Sequence, residues 1–133
     1  MIVVDSSVWI SHLRGLDTPA VAALALLIDR DDDRILIGDL ILLELLQGAR
    51  DEIHAARIEL GLRAYPIAPM LSPELAVAAA RFYRALRSRG ITVRKTADLI
   101  IGAFCLTHGH TLLHDDRDFD PMEAFLSLRV MRG

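Results

Sequence analysis

Ile2-Val3-Val4-Asp5-Ser6-Ser7 is the stretch on which the reading of this chain turns. Three aliphatic residues in a row suit a strand buried on both faces, and such a strand belongs in the middle of a parallel sheet. The carboxyl ends of parallel strands are where open α/β sheets place their ligands. Here that end carries a carboxylate, Asp5, followed at once by two hydroxyls. The question for the remaining chain is which other acids it brings to the same edge.

Composition narrows the answer. The 133 residues fit one domain, 1–133, with a real core. The chain is 53% hydrophobic, which points to two-sided burial or an oligomer interface. No apolar run is long enough to span a bilayer, and Glu44 interrupts the richest one. The apolar start is too short for a signal peptide and lacks a basic leader. The single cysteine, Cys105, excludes an internal disulfide and suits a reducing cytosol. A cytoplasmic protein without membrane contact is expected. The net charge of −3 gives no global basic signature, so a nucleic-acid partner needs a local basic patch or metal ions that screen the acids.

Taken in order, Ser6 or Ser7 is expected to cap a short helix to about Arg14, and Thr18-Pro19 to open a second one. The run from Asp29 to Arg34 reads as a solvated turn. Ile35–Ile37 is a second buried strand. Asp39 is the expected cap of the helix 40–47, which is apolar nearly all round except at Glu44. One side of it should pack on the sheet and the other on a partner. Residues 51–61 read as a further helix with Ile53, Ile58 and Leu62 as packing residues. Residues 64–70 hold a short third strand that Pro66 and Pro69 push to an edge. Ser72-Pro73 starts a long helix that ends at Gly90, and Thr96 is the expected cap of a helix to His108. Thr111–Leu113 is a fourth strand, residues 121–125 a last helix and Leu128–Val130 a final edge strand. Strands alternate with helices throughout, which predicts an α/β fold with one mostly parallel sheet of about five strands and helices on both faces.

Four acids fall at equivalent places in that scheme. Asp5 ends the first strand, Glu44 lies in the helix after the second, Asp98 opens a later helix and Asp116 follows the fourth strand. All four positions lie on one edge of a parallel sheet. Carboxylates gathered in one cleft repel each other unless cations bind or some stay protonated. Oxygen donors without cysteine favour Mg²⁺ or Mn²⁺ over zinc. Such ions activate water and stabilise the leaving oxygen of a phosphodiester. Carboxylates that merely cap helices or turns remain the alternative at this point.

Four ordered pieces add a family resemblance: residues 2–10 from Ile2 to Ile10, Leu43-Glu44-Leu45-Leu46-Gln47-Gly48, Thr96-Ala97-Asp98-Leu99-Ile100-Ile101, and residues 112–119 from Leu112 to Phe119. With them the chain resembles a PIN-domain ribonuclease, most closely a VapC-type toxin of a type II toxin–antitoxin pair. The resemblance covers essentially the whole chain. It implies that Asp5, Asp98 and Asp116 ligate Mg²⁺ or Mn²⁺, with Glu44 completing the quartet directly or through water. It adds Asp118 as a further acid, Asp115 as a weaker one, and Ser6 or Ser7 as a hydroxyl that orients Asp5 or the scissile phosphate. His114 stands where many relatives carry Ser or Thr. A protonated His114 would contact phosphate, whereas a neutral one would hydrogen-bond Asp116. The resemblance also implies RNA cleavage leaving a 3′-hydroxyl and a 5′-phosphate, a VapB-type antitoxin that blocks the cleft, and a homodimer. The RNA is not specified, tRNA and rRNA both being open.

Other residues read more plainly. Lys95 and Arg117, and less so Arg94, Arg50 and Arg14, are candidate phosphate contacts, against a simpler reading as surface ion pairs. The arginines at 81, 84, 87 and 89 suit the end of their helix. Cys105 reads as core, Trp9 as core or interface, and His108 and His110 as residues at a helix end. Two rival functions share parts of this pattern. A receiver-like Mg²⁺-binding regulatory module needs an Asp after the third strand, where this chain has Ile67-Ala68-Pro69. A non-catalytic PIN-like module would keep the fold without needing the quartet.

Overall fold

All the strand pairings are parallel. The computed structural model describes residues 1–31 and 33–132, and Asp32 of the acidic turn after the second helix lies outside them. The elements run β1 (Ile2–Val4), α1 (Ser6–Leu13), α2 (Pro19–Asp29), β2 (Ile35–Gly38), α3 (Asp39–Gln47), α4 (Glu52–Leu62), β3 (Ile67–Ala68), α5 (Pro73–Arg87), α6 (Thr96–His108), β4 (Thr111–Leu113) and α7 (Asp120–Leu126), with a 3-10 turn at Arg117–Phe119. The strand order is β3-β2-β1-β4. Ile2 lies opposite Ile35 on one side and Thr111 on the other, and Val4 lies opposite Leu113.

Every residue of β1 and β2 is buried. Apolar runs without alternation are what a sheet covered on both faces requires. Val3, Val4, Leu24, Ile37, Ile41, Ile101 and Phe119 are wholly inaccessible. Burying side chains of this size contributes about 1.5–3 kcal/mol each. The proline-flanked β3 sits at the edge, as expected. The chain lays down β1, β2 and β3 in one direction, then returns to place β4 on the other side of β1. That reversal opens a crevice at the carboxyl ends of β1 and β4.

Several local expectations are corrected. The sheet has four strands, and the segment Leu128–Val130 adds only one isolated parallel bridge, Leu112 to Val130. Ser127 closes α7 in the left-handed region at φ 61°, and the segment after it touches β4 through that single bridge. Gly38, not Asp39, is the N-cap of α3. Asp39 instead accepts a hydrogen bond from Met70 N–H at 3.0 Å, tying α3 to the segment after β3. Lys95, not Thr96, takes the cap position of α6. Ile53 is 70% exposed, whereas Ile58 and Leu62 are buried, because the core side of α4 follows their spacing.

Gly102 is a close approach. A Cβ built there would lie 2.2 Å from Met122 Sδ, so α6 and α7 pack through the missing side chain. Overpacking costs about 1–3 kcal/mol, while alanine gains about 1 kcal/mol of helix propensity over glycine. Gly102→Ala is expected to lose about 1 kcal/mol net. In a Met122→Ala background the same substitution should become neutral or stabilising. Urea denaturation midpoints of the four proteins check this, and equal costs in both backgrounds would refute the packing account.

Candidate metal centre

Asp5 leaves β1 and becomes the N-cap of α1. Its Oδ2 accepts the Ser7 N–H at 3.1 Å and the Ser7 hydroxyl at 2.6 Å. The cap is therefore the carboxylate rather than the expected serine, since an ionised acceptor one residue earlier suits the positive end of the helix. Ser7 Oγ also accepts the Asp115 N–H at 3.1 Å. One hydroxyl thus links the end of β1 to the loop after β4. The other oxygen of Asp5, Oδ1, is buried without a hydrogen-bond partner. Burial pushes the Asp5 carboxyl above its ordinary range; the Ser7 bonds oppose this and the charge of Asp116 reinforces it.

Ser6 performs the corresponding task for α3. Its hydroxyl donates to Glu44 Oε1 at 3.3 Å. Glu44, the one charge in the apolar stretch 40–46, therefore turns towards Asp5 and has Ser6 rather than Arg50 as its hydrogen-bond partner. Its pKa is raised by partial burial and then by Asp5, against the lowering effects of Ser6 and Lys95.

Asp98 sits in the first turn of α6, 5% exposed, with Oδ2 unpartnered. Its pKa is pushed up to about 7, first by burial, then by the charges of Asp5 and Asp116. The helix dipole, which by sequence favours the ionised form, is outweighed by desolvation and like charge. Asp116 caps the 3-10 turn, its Oδ1 accepting the Asp118 N–H at 2.9 Å. Lys95 Nζ lies 3.9 Å from Asp116 Oδ2. His114 is bound to the backbone: its Nδ1 accepts the Asp116 N–H at 3.1 Å, and its Nε2 is buried without a hydrogen-bond partner.

Asp98, Asp116 and Asp118 each offer an oxygen within 4.8 Å of the others. Asp118, given only an auxiliary place by sequence, is thus part of the tightest cluster; the Asp-x-Asp spacing across a capped 3-10 turn is the signal for it. Asp5 and Glu44 adjoin the triad through their mutual charge effects. Hard oxygen donors, two of them orphaned in buried positions, fit a hard divalent cation. Among the described residues no other cluster of three such groups occurs. His108 and His110 instead stack around Phe104. Arg117 and Arg94 are exposed. Cys105 is buried and its thiol is pushed up to about 12, which leaves it protonated and inert.

An acidic crevice at the switch point of a parallel sheet defines a class of metal-binding α/β domains, and comparison with known proteins narrows it. The PIN domain model matches residues 2–124, and the chain belongs to that family. Within it, the chain is similar to Ribonuclease VapC11 of Mycobacterium tuberculosis, 33% identical over 133 residues covering 98% of this chain and 97% of that protein. The fold is shared with VapBC2 from Rickettsia felis, solved bound to a DNA fragment from their promoter (TM-score 0.77, 17% identity, 98% of both chains). It is also shared with VapBC-5 from M. tuberculosis, a member of the VapBC family of toxin–antitoxin systems (TM-score 0.67, 22% identity, 98% of this chain and 97% of that one). At these identities the two structures speak to the fold alone.

The raised carboxyl of Asp98 has a consequence for stability. The folded state holds that proton up to about pH 7, whereas an unfolded Asp releases it near pH 3.9. Between those values the folded state binds more protons, so stability falls as pH rises. The metal-free protein is expected to melt lower at about pH 8 than at about pH 5, and Asp98→Asn to reduce that loss. Thermal unfolding in EDTA checks it; a midpoint that rises over the same range would overturn the assignment.

Proposed function

We propose that residues 1–133 act as one nuclease domain, a Mg²⁺- or Mn²⁺-dependent endoribonuclease that is the toxin of a type II toxin–antitoxin module in the cytoplasm. The observation that carries this reading is the set of acids at the β1/β4 crevice, with the buried oxygens Asp5 Oδ1 and Asp98 Oδ2 lacking any hydrogen-bond partner. Asp5, Asp98 and Asp116, joined by Asp118, would hold the cation, and Glu44 would complete the site directly or through water. A bound divalent ion supplies activation of water and charge stabilisation at a phosphodiester.

The chain's own groups support water as the nucleophile. The Ser7 hydroxyl is spent on Asp5 and that of Ser6 on Glu44. The Cys105 thiol is buried and protonated. His114 uses Nδ1 to hold the Asp116 backbone. Their work is positional: Ser7 fixes Asp5 against the β4 loop, and Ser6 fixes Glu44 against α1. Lys95, with its side chain 64% exposed and its Nζ 3.9 Å from Asp116, and Arg117, exposed and next to Asp116 in the 3-10 turn after β4, are the proposed phosphate contacts. The likeness to Ribonuclease VapC11 supports RNA as the substrate, and the VapBC structures support an antitoxin partner.

Two experiments test the reading. Asp98→Asn should lower Mg²⁺-dependent cleavage of RNA by about 100-fold or more while the far-ultraviolet dichroism stays that of the parent. EDTA should silence the parent and Mn²⁺ should restore it. Metal-independent cleavage, or full activity of the variant, would sink the assignment.

The homodimer belongs to the same proposal. Leu43 is 57% and Leu71 58% exposed, and with Leu40, Met70 and Ile100 they line an apolar hollow of about 230 Å³. Ile41 and Leu45 of the same helix face the core. Leu43→Asp should shift the protein towards monomer in sedimentation velocity without lowering its melting temperature. An unchanged sedimentation coefficient would remove this surface from the interface.

A further inference from the structure

A groove distinct from the acidic crevice begins beside it, at Glu44. It has a volume of about 410 Å³ and runs between α1, α3 and α4, with Glu44 among its lining residues. None of its lining residues comes from α6 or β4. Its apolar wall is Ile10, Leu13, Leu45 and Ile58, and its polar groups besides Glu44 are Arg14, Arg50 and His54.

Arg14 and Arg50 are exposed, and among the described residues neither has a carboxylate within 4.0 Å. Arg14 closes α1 as its C-cap, and Arg50 lies in the turn between α3 and α4. That turn is held in shape: His54 Nδ1 accepts the Arg50 N–H at 3.0 Å, and Asp51 accepts the His54 N–H at 2.8 Å. The groove therefore combines two guanidiniums that no described carboxylate pairs, the His54 imidazole and an apolar wall, and one end adjoins the metal centre through Glu44.

We infer that this groove binds the single-stranded RNA flanking the scissile phosphate, Arg14 and Arg50 contacting backbone phosphates while bases lie against Ile10, Leu13 and Ile58. The inference rests on the nuclease reading above and deepens it. Three considerations favour RNA as the occupant. The chain is acidic overall, net −3, and its acids converge on the crevice, so a polyanion reaching them needs local cations. Arg14 and Arg50 share the groove with Glu44, and Lys95 acts on Glu44 through its charge, so a strand reaching the centre along the groove meets positive charge. Cations that track the backbone are half of what sequence-independent single-strand binding uses, the other half being a ring on which a base stacks, and the groove lining holds one such ring, the imidazole of His54.

The test measures binding of a 5′-fluorescein mixed-sequence single-stranded RNA of about 12 nucleotides to the full chain by anisotropy, with Ca²⁺ replacing Mg²⁺, over a salt series. Each lost phosphate contact removes about 0.7 from the slope of log affinity against log salt for single strands. Arg14→Gln/Arg50→Gln should flatten that slope by about 1.4 and weaken binding about 10- to 100-fold. Arg14→Lys/Arg50→Lys should recover most of the slope. Arg81→Gln/Arg84→Gln, which removes the same charge from the exposed face of α5, should leave it unchanged. Melting temperatures confirm that each variant is folded. An unchanged slope in Arg14→Gln/Arg50→Gln would overturn the inference and leave the groove to a protein partner; an equal loss in the α5 control would overturn it as bulk charge. Failure of the nuclease reading shows separately, as absence of Mg²⁺-dependent cleavage of the same RNA by the parent, which the binding measurement does not require.

Discussion

Like-charge repulsion among Asp5, Glu44, Asp98 and Asp116 is the constraint around which this protein is built. Each raises the proton affinity of at least one other or is raised by it. Nothing in the acids themselves draws them together. They are held by elements whose positions are set elsewhere: β1 and β4 by parallel pairing from Ile2 to Val4, α3 by Ile41 and Leu45, α6 by Ile101 and Phe104. Hydrophobic burial, worth about 1.5–3 kcal/mol per large side chain, outweighs the repulsion because it is spread over the whole core.

The two serines after Asp5 refine what the core assembles. Adjacent hydroxyls at the start of a helix point in different directions, and each takes a carboxylate from a different part of the chain. Ser7 holds Asp5 and, through the Asp115 N–H, the loop after β4. Ser6 holds Glu44, 38 residues away in sequence. They satisfy one oxygen on each acid. The remaining buried oxygens of Asp5 and Asp98 stay without partners, a deficit that a hard cation would relieve. Buried groups left unsatisfied at a cost to stability are expected where function, rather than folding, selects the residues.

The apolar excess divides into two parts. Most is explained by two-sided burial of β1 and β2. The rest is surface: Leu43 and Leu71 around one hollow, and Ile53 and Leu60, which are 70% and 77% exposed on α4. Sequence periodicity located α4 but included Ile53 in its packing side, because a short helix with alanines on several faces leaves the stripe ambiguous.

What the sequence by itself determined is the order of elements, the parallel sheet and the strand ends at which the acids stand. An unbroken aliphatic run forces two-sided burial, and a carboxylate after such a run falls at the ligand edge for reasons of topology alone. Tertiary structure decided which atoms face which. It made Asp5, not a serine, the cap of α1, since helix-end geometry depends on the φ and ψ of the residue leaving the strand. It drew Asp118 into the triad, turned His114 Nδ1 to the Asp116 N–H, and set Arg14, Arg50 and Glu44 in the lining of one groove. Those relations join residues far apart in the chain or depend on a single dihedral, and local propensity carries no information about either.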